Sequence, residues 1–382
     1  MVVEVSLTAA ALFNLERHHL VERSPRSRLL DVVDDMLGVN AQGILNAYLS
    51  LWSRMRSLSP NHLDEALYDR RELVKTWLMR NTVHIVSSRL LPLYRRALLT
   101  ALLERWNRWA MRVGAKAEVD EWRPLYQRVL RLLDDGPLTI REMLTLLGWG
   151  KADRLLLNRV VREMSLMGML CHAGALGPWY HAAEYRFARI DRWLKPIPLQ
   201  ISEEEAGREL ARRYLRAYGP ASPRDFAYWS GMRVREAREI FESLNLVEVE
   251  VEGERLLLLD EDVDPLLEAS EGEGAVRLLP AFDSLIMGHR DKRRLIPPGY
   301  KSRIFLPRGD VAATLLLGHR IGGTWSLKKQ RGNRWLLTLS PFRPLTRGER
   351  EGIEGEIERL RGFTGFEIEV QWRQSKEQSP LC

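Results

Sequence analysis

Two short stretches of this chain repeat each other, and that repeat restricts the possible folds more than any composition figure. Asp135-Gly136-Pro137-Leu138-Thr139-Ile140-Arg141-Glu142-Met143 resembles Tyr218-Gly219-Pro220-Ala221-Ser222-Pro223-Arg224-Asp225-Phe226. Each follows an amphipathic helical pattern, at 123–134 and 203–218, and each opens a short helix from Thr139 or Ser222. Hydroxyl residues belong there because the side-chain oxygen accepts from a free N–H of the first turn. A further helical pattern follows in both, at 152–167 and 233–244, and then a pair of strand-like runs, 169–173 with 183–187 and 246–250 with 255–259. Three helices and a hairpin in that order predict a winged helix, a fold that offers its third helix to the DNA major groove.

The flanking regions extend the pattern. Residues 29–37, 44–55 and 62–69 read as helices and 72–76 and 82–86 as short strands, an order compatible with a third such unit. The C-terminal third reads as strands at 276–280, 303–306, 310–317, 323–327 and 335–339, then a helix at 347–361 and a strand at 367–372. The predicted class is α+β: tandem winged-helix (helix-turn-helix) domains with a C-terminal β-rich domain. The expected divisions are 1–120, 121–195, 200–265 and 275–382.

Helical spacing puts Leu156, Val160, Met164 and Met167 on one stripe of the first repeat's third helix, and Arg154, Asn158, Arg162 and Ser165 on the opposite row. Arg and Asn are the side chains that phosphate or base contact requires, although a single such row is also an ordinary solvated face. The second repeat buries Val234, Ala237, Phe241 and Leu244, and its hairpin is acidic, which predicts no contact with phosphate.

Charge is distributed unevenly. Residues 290–347 carry fourteen Lys and Arg against Asp291 and Asp310, a local +12 in a chain whose total is +7. Such a segment predicts a polyanionic partner, nucleic acid first, because phosphate neutralisation dominates those affinities. The basic turn from Ser326 to Arg334, with Lys328, Lys329, Arg331 and Arg334, is the best candidate for backbone contact, against the alternative of a solvated β-turn. No apolar run approaches the ~18–20 residues that span a bilayer, and the N-terminus lacks the basic region of a signal peptide. A cytoplasmic, nucleoid-associated monomer is expected.

Common catalytic signatures are missing: no phosphate-binding Walker loop, no dinucleotide glycine motif, no H-E-x-x-H and no C-x-x-C. Cys171 and Cys382 cannot build a disulfide framework. Cys171, His172 and His181 lie close in sequence but lack a fourth ligand, so no metal and no cofactor are expected. Asp283 and His289 form a possible acid–base pair, or equally a structural feature at a strand-to-loop transition.

Several stretches resemble one family along nearly the whole chain: Leu37-Gly38-Val39-Asn40-Ala41-Gln42, Leu51-Trp52-Ser53-Arg54, Thr76-Trp77-Leu78-Met79-Arg80-Asn81-Thr82-Val83-His84, Leu279-Pro280-Ala281-Phe282-Asp283 through Gly288-His289-Arg290-Asp291, and Gly322-Gly323-Thr324-Trp325. They look like the AlkZ/YcaQ-like winged-helix DNA glycosylases, which excise alkylated bases and unhook interstrand crosslinks. The resemblance implies a DNA-binding channel, a double-stranded DNA partner and a monofunctional hydrolytic reaction. It also implies a catalytic motif of Gln, an apolar residue, then Gln or Asp. Here that motif reads Asn40-Ala41-Gln42, with Gln42 matching the last position and Asn40 one methylene shorter than the family's first Gln. A base alkylated at N3 or N7 is already a cationic leaving group, so a carboxamide that orients a water suffices. Shortening the first arm shifts that water by about an ångström, a displacement that costs ~100-fold. No lysine stands near the motif in sequence, which argues against a Schiff-base lyase step. The expected activity is hydrolysis of the N-glycosidic bond of cationic alkylated purines; the rival reading is a non-catalytic DNA-binding regulator on the same scaffold.

Overall fold

The computed structural model describes residues 3–112, 116–195, 199–269 and 272–373, so Cys382 lies outside the described residues. A strand β1 (Val3–Val5) and helix α1 (Leu7–Arg17) precede a first run of elements: α2 (Leu29–Asp35), β2 (Val39–Asn40), α3 (Ile44–Trp52), α4 (Pro60–Asp64), β3 (Leu73–Leu78) and β4 (Thr82–Ser87). A long helix α5 (Leu91–Arg112) follows. The order then recurs as α6 (Lys116–Leu132), β5 (Leu138–Thr139), α7 (Ile140–Leu147), α8 (Arg154–Leu166) and the hairpin β6 (Leu170–Leu176) with β7 (Glu184–Arg189). It appears once more as α9 (Glu203–Tyr218), α10 (Pro223–Ser230), α11 (Val234–Glu242), β8 (Leu246–Val251) and β9 (Glu254–Leu259).

The repeated turns form as their sequences require. Thr139 Oγ1 accepts from Glu142 N at 3.1 Å while the Glu142 carboxylate accepts from Thr139 N at 2.7 Å. Ser222 and Asp225 make the same reciprocal pair at 3.3 and 3.0 Å. Each satisfies two otherwise orphaned donors at a helix start. In all three runs the segment just before the second helix pairs with the returning strand of the hairpin: Asn40 with His84, Thr139 with Arg186, Ala221 with Leu257. The first run thus shares its strand pairing with the two whose sequences repeat.

The hairpins of the first two runs merge, through Lys75 opposite His172, into one six-stranded sheet of order β2-β4-β3-β6-β7-β5. The third hairpin takes β1 as a parallel edge strand. Beyond it lie β10 (Arg277–Leu279), β11 (Ala313–Leu317), β12 (Arg320–Lys329), β13 (Arg334–Pro341), α12 (Arg347–Thr364) and β14 (Glu367–Trp372), the strands forming one sheet in chain order. The expected strand at 303–306 is instead the end of a helical turn, Lys301–Ile304, and only Phe305 bridges to Val311. A run of four residues, 303–306, is too short for periodicity to decide.

Buried side chains pack across the runs. Val32, Ala47 and Trp52 share one apolar body with Leu278, Leu337 and Phe363, while Phe13 and Leu15 share another with Val249 and Leu316. The turn between β3 and β4 is also committed inside the molecule. Arg80 and Asn81 both adopt left-handed backbone (φ 58° and 59°), and Arg80 Nη1 donates to the Trp229 carbonyl at the end of α10. Gly231 (φ 90°) lets the two segments meet, since a Cβ there would stand 3.1 Å from Arg80 backbone.

At the centre, Arg54 and Asp283 have no solvent exposure and form a two-pronged ion pair at 2.7 and 2.8 Å. Ser50 Oγ donates to the same carboxylate at 3.0 Å, and Arg54 Nη1 donates to the Ser50 carbonyl at 2.9 Å. Removing one member leaves an uncompensated buried charge. Asp283→Asn is therefore expected to lower the unfolding free energy by about 3–5 kcal/mol, read by urea denaturation; a loss below about 1 kcal/mol would show that the interior tolerates the lone guanidinium.

Candidate active site and nucleic-acid interface

Asn40 ends β2 and Gln42 precedes α3, so both sit at the joint between a sheet edge and a helix start. Val39 pairs with Ile85 and Asn40 with His84, and Ala41 N donates to the Val83 carbonyl at 2.8 Å. That pairing turns the chain so that Asn40 and Ala41 are buried while Gln42 is exposed. Gln42 N donates to Asn40 Oδ1 at 3.3 Å, and Asn40 Nδ2 stands 3.5 Å from Gln42 Oε1. The shorter Asn side chain thus folds back as an Asx turn, a geometry that suits Asn because its oxygen reaches the backbone two residues on. Among the described residues the Gln42 amide NH2 has no hydrogen-bond partner, which leaves it able to meet a water.

The surroundings hold no strong base. His84, cross-strand from Asn40, donates from Nδ1 to the Thr82 carbonyl at 3.0 Å. Burial first, and the Arg80 guanidinium second, push its pKa down to about 3. It stays neutral and too weakly basic to take a proton at neutral pH. Behind the motif, Ser284 Oγ donates to the Gly38 carbonyl at 3.0 Å, so the residues flanking Asp283 hold Gly38 as well as Arg54.

The structure gives Asp283 and His289 no acid–base role. Asp283 is consumed by Arg54, Ser50 and the Leu285 N–H. His289 is buried, 2.7 Å from the Tyr218 carbonyl and 3.0 Å from Arg294, and burial with that guanidinium pushes its pKa down to about 3. Both side chains are buried.

The third-helix row of α8 is split. Arg154 and Asn158 are exposed, Arg154 lying 3.6 Å from Glu184. Arg162 turns inward: its Nη2 donates to the Asn81 carbonyl at 2.9 Å and its guanidinium lies 5.2 Å from the Trp106 ring centroid. Ser165 is buried and donates to the Val161 carbonyl at 2.7 Å. The buried stripe runs through Leu157, Val160, Val161 and Met164, with Leu156 only half-buried. Helix α5, which carries Trp106, covers this side. Ala237 and Phe241 on α11 and Leu244 just after it are buried as expected, but Val234 is 42% exposed.

Lys328, Lys329, Arg331 and Arg334 all stand exposed around the turn joining β12 to β13. Asn333 fixes that turn, its side chain donating to the Gly365 carbonyl at 2.9 Å while its own carbonyl accepts from Glu367 N at 3.1 Å. Arg334 lies 3.6 Å from Glu367; Lys329 donates to Tyr180 Oη at 3.1 Å. Near the second hairpin, Cys171 and His172 are buried and His181 is exposed, and burial raises the thiol to about 12. Among the described residues no group of three or more His, Cys, Asp or Glu is placed to hold a metal, and no helix is long and apolar enough to cross a membrane.

This arrangement matches known proteins along most of its length. The family model described as DNA glycosylase AlkZ-like matches residues 33–363. An interstrand DNA cross-link repair glycosylase of Streptomyces sahachiroi is 26% identical over 379 residues, covering 92% of this chain and 95% of that protein. The solved structure of the Streptomyces sahachiroi DNA glycosylase AlkZ superposes with a TM-score of 0.78 at 24% identity, over 97% of this chain and 100% of that one. The chain belongs to the AlkZ-like DNA glycosylase family. It is thereby an enzyme of the hydrolase class acting on DNA, and not a regulator that merely kept the scaffold.

One lysine does share the sheet with the motif. Lys75 aligns across Ile85 with Val39, so strand alternation turns it away from Asn40. It is 1% exposed, its amine has no hydrogen-bond partner among the described residues and lies 3.5 Å from the Tyr185 ring centroid, and burial lowers its pKa to about 7. A half-neutral amine has the chemistry for a Schiff base, but this one cannot reach a sugar. The unfolded chain holds this proton up to about pH 10.5 and the folded chain only below about 7, so stability rises with pH across that window. Lys75→Met is expected to be more stable than wild type at pH 7, with the difference shrinking towards pH 10, as measured by urea denaturation at several pH values. An advantage independent of pH would contradict the assignment.

Proposed function

We propose that this enzyme hydrolyses the N-glycosidic bond of purines made cationic by alkylation at N3 or N7, in duplex DNA, with Gln42 holding the nucleophilic water. The observation that carries this reading is the exposed Gln42 amide at a rigid joint, in a family of DNA glycosylases. The C1′–N bond breaks with its electron pair going to the cationic base, which leaves neutral. The water oxygen bonds to the oxocarbenium carbon, and the proton then surplus on the new hydroxyl passes to solvent. No general acid is needed because the leaving group is already charged, and no strong base is needed because water traps an oxocarbenium readily. The amide contributes position. Asn40 acts through Gln42, holding its backbone N–H and facing its side-chain oxygen.

The three helix–helix–helix–hairpin runs are read as tandem winged helices within 1–120, 121–195 and 200–265, ahead of a β-rich domain at 275–382. Arg154, Lys328, Arg331 and Arg334 contact phosphate, and Asn158 lies beside Arg154 on the outer row of α8. Arg162 is withdrawn from that set because its guanidinium is engaged inside the protein. An amide at the surface, in place of one at the bottom of a closed pocket, suits a bulky or crosslinked adduct that deep base extrusion would exclude. A monomer acting on double-stranded DNA fits this arrangement.

The test is release of free base from duplex DNA containing 7-methylguanine. Wild type is expected to release it, and Gln42→Ala to lose about 100-fold or more in single-turnover rate. Salt-sensitive binding without release would reject the catalytic reading, and an unchanged rate in Gln42→Ala would reject the site. Lys328→Ala is expected to lower the slope of log affinity against log salt by about one, measured by fluorescence anisotropy; an unchanged slope would remove Lys328 from the interface.

A further inference from the structure

The loop at the tip of the β6–β7 hairpin does not project into solvent as a wing would. It reaches across to the C-terminal sheet. Gly177 (φ 115°) makes the turn possible, since a Cβ there would stand 2.6 Å from the His181 carbonyl oxygen, and Ala183 N closes it on the Leu176 carbonyl at 2.7 Å. The Trp179 ring lies nearly parallel to Tyr48 (centroids 5.6 Å apart, 16°) and to Phe366 (5.8 Å, 10°). Phe366 in turn stacks on Trp335 at 4.2 Å and 6°. Four aromatic rings therefore run without a break from α3, whose start follows Gln42, to β13, which follows the basic turn. Tyr180 packs edge-on against Trp335 and Phe366 at 5.3 and 5.1 Å, and its hydroxyl accepts from Lys329 at 3.1 Å. At the other end Tyr48 Oη donates to Asp64 at 2.5 Å, tying α3 to α4.

We propose that Trp179 and Tyr180 are positioning residues for the glycosylase reaction: they clasp the basic turn of β12–β13 at a set distance from Gln42, and Lys329 serves as the clasp's anchor. This rests on the function proposed above. Both ends of the ring stack belong to working parts, Gln42 with the water on one side and the turn that follows the DNA backbone on the other. The ring that joins them comes from a third part of the chain with no other evident duty. Aromatic stacks hold separation well because flat rings have few rotamers and a steep repulsive wall. Lys329 spends a donor on Tyr180, leaving Lys328, Arg331 and Arg334 as the cations the turn offers to phosphate.

The experiment measures both the maximal single-turnover rate of 7-methylguanine release and the affinity for the same duplex, in the full chain. Trp179→Ala is expected to lower the rate 10–100-fold while weakening DNA binding less than about threefold, since an ångström of misplacement affects chemistry far more than charge attraction. Trp179→Phe, which keeps a flat ring, should restore most of the rate. Should Trp179→Ala fail to fold, Tyr180→Phe decides, as it removes only one oxygen. Its rate is expected to fall about three- to tenfold, and the Tyr180→Phe, Lys329→Ala double variant should lose no more than Lys329→Ala alone. An unchanged rate in Tyr180→Phe, additive losses in the double variant, or equal losses of rate and affinity in Trp179→Ala would overturn the clasp. Absence of release by wild type would instead overturn the proposed function.

Discussion

The ion pair between Arg54 and Asp283 is the interaction on which the remaining architecture depends. It is sealed from water and joins the end of α3 to the segment after β10, 229 residues later in the chain. A buried pair is weak as a source of net stability, because desolvation offsets most of its attraction. Its worth here is geometric. The bidentate contact fixes orientation as well as distance, and the neighbouring Ser284 hydroxyl holds Gly38 from the same segment. Asn40 and Gln42 lie between those two fastenings, so a surface amide gains a rigid backing without any catalytic partner behind it.

Packing of the hairpins follows from the same economy of parts. The turn after β3 is pinned under α10 through Arg80, the tip of β6–β7 enters the aromatic cluster of the C-terminal sheet, and β8 is covered along its edge by β1. Elements that could have met DNA backbone are used to weld the runs to one another. Exposed cations remain on the outer row of α8 and on the Lys328–Arg334 turn. The third hairpin carries Glu248 and Glu254, each paired with an arginine.

Buried cations show a second consequence of close packing. Lys292 donates to the Ile286 carbonyl at 2.8 Å and to that of His289, so its amine caps a short helix. Arg294 donates to Asn14 and to the Pro220 carbonyl, both at 2.7 Å, closing the second repeated turn from the far end of the chain. The basic segment at 290–347 is thus two populations. Lys292 and Arg294 are interior fasteners whose pKa values burial depresses, whereas Arg290, Arg293 and the cations of the Lys328–Arg334 turn are exposed. A summed charge cannot tell them apart.

Local features were readable because they depend on neighbours in sequence. Thr139 with Glu142, Ser222 with Asp225, the helix periods and the hairpins of both repeats are decided within a few residues by hydrogen-bond supply and side-chain alternation. The acidic third hairpin and the turn at Gly332-Asn333 were legible for the same reason, whereas the Asn40-Ala41-Gln42 motif came from the family resemblance. The outward or inward fate of Arg162, the sealing of Asp283 and His289, the amine of Lys75 and the partner of Trp179 depend on which distant element arrives to cover them. Those contacts cross tens to hundreds of residues, and whether a polar group ends in water or in the interior is set by that covering, for which the chain's own periodicity carries no information.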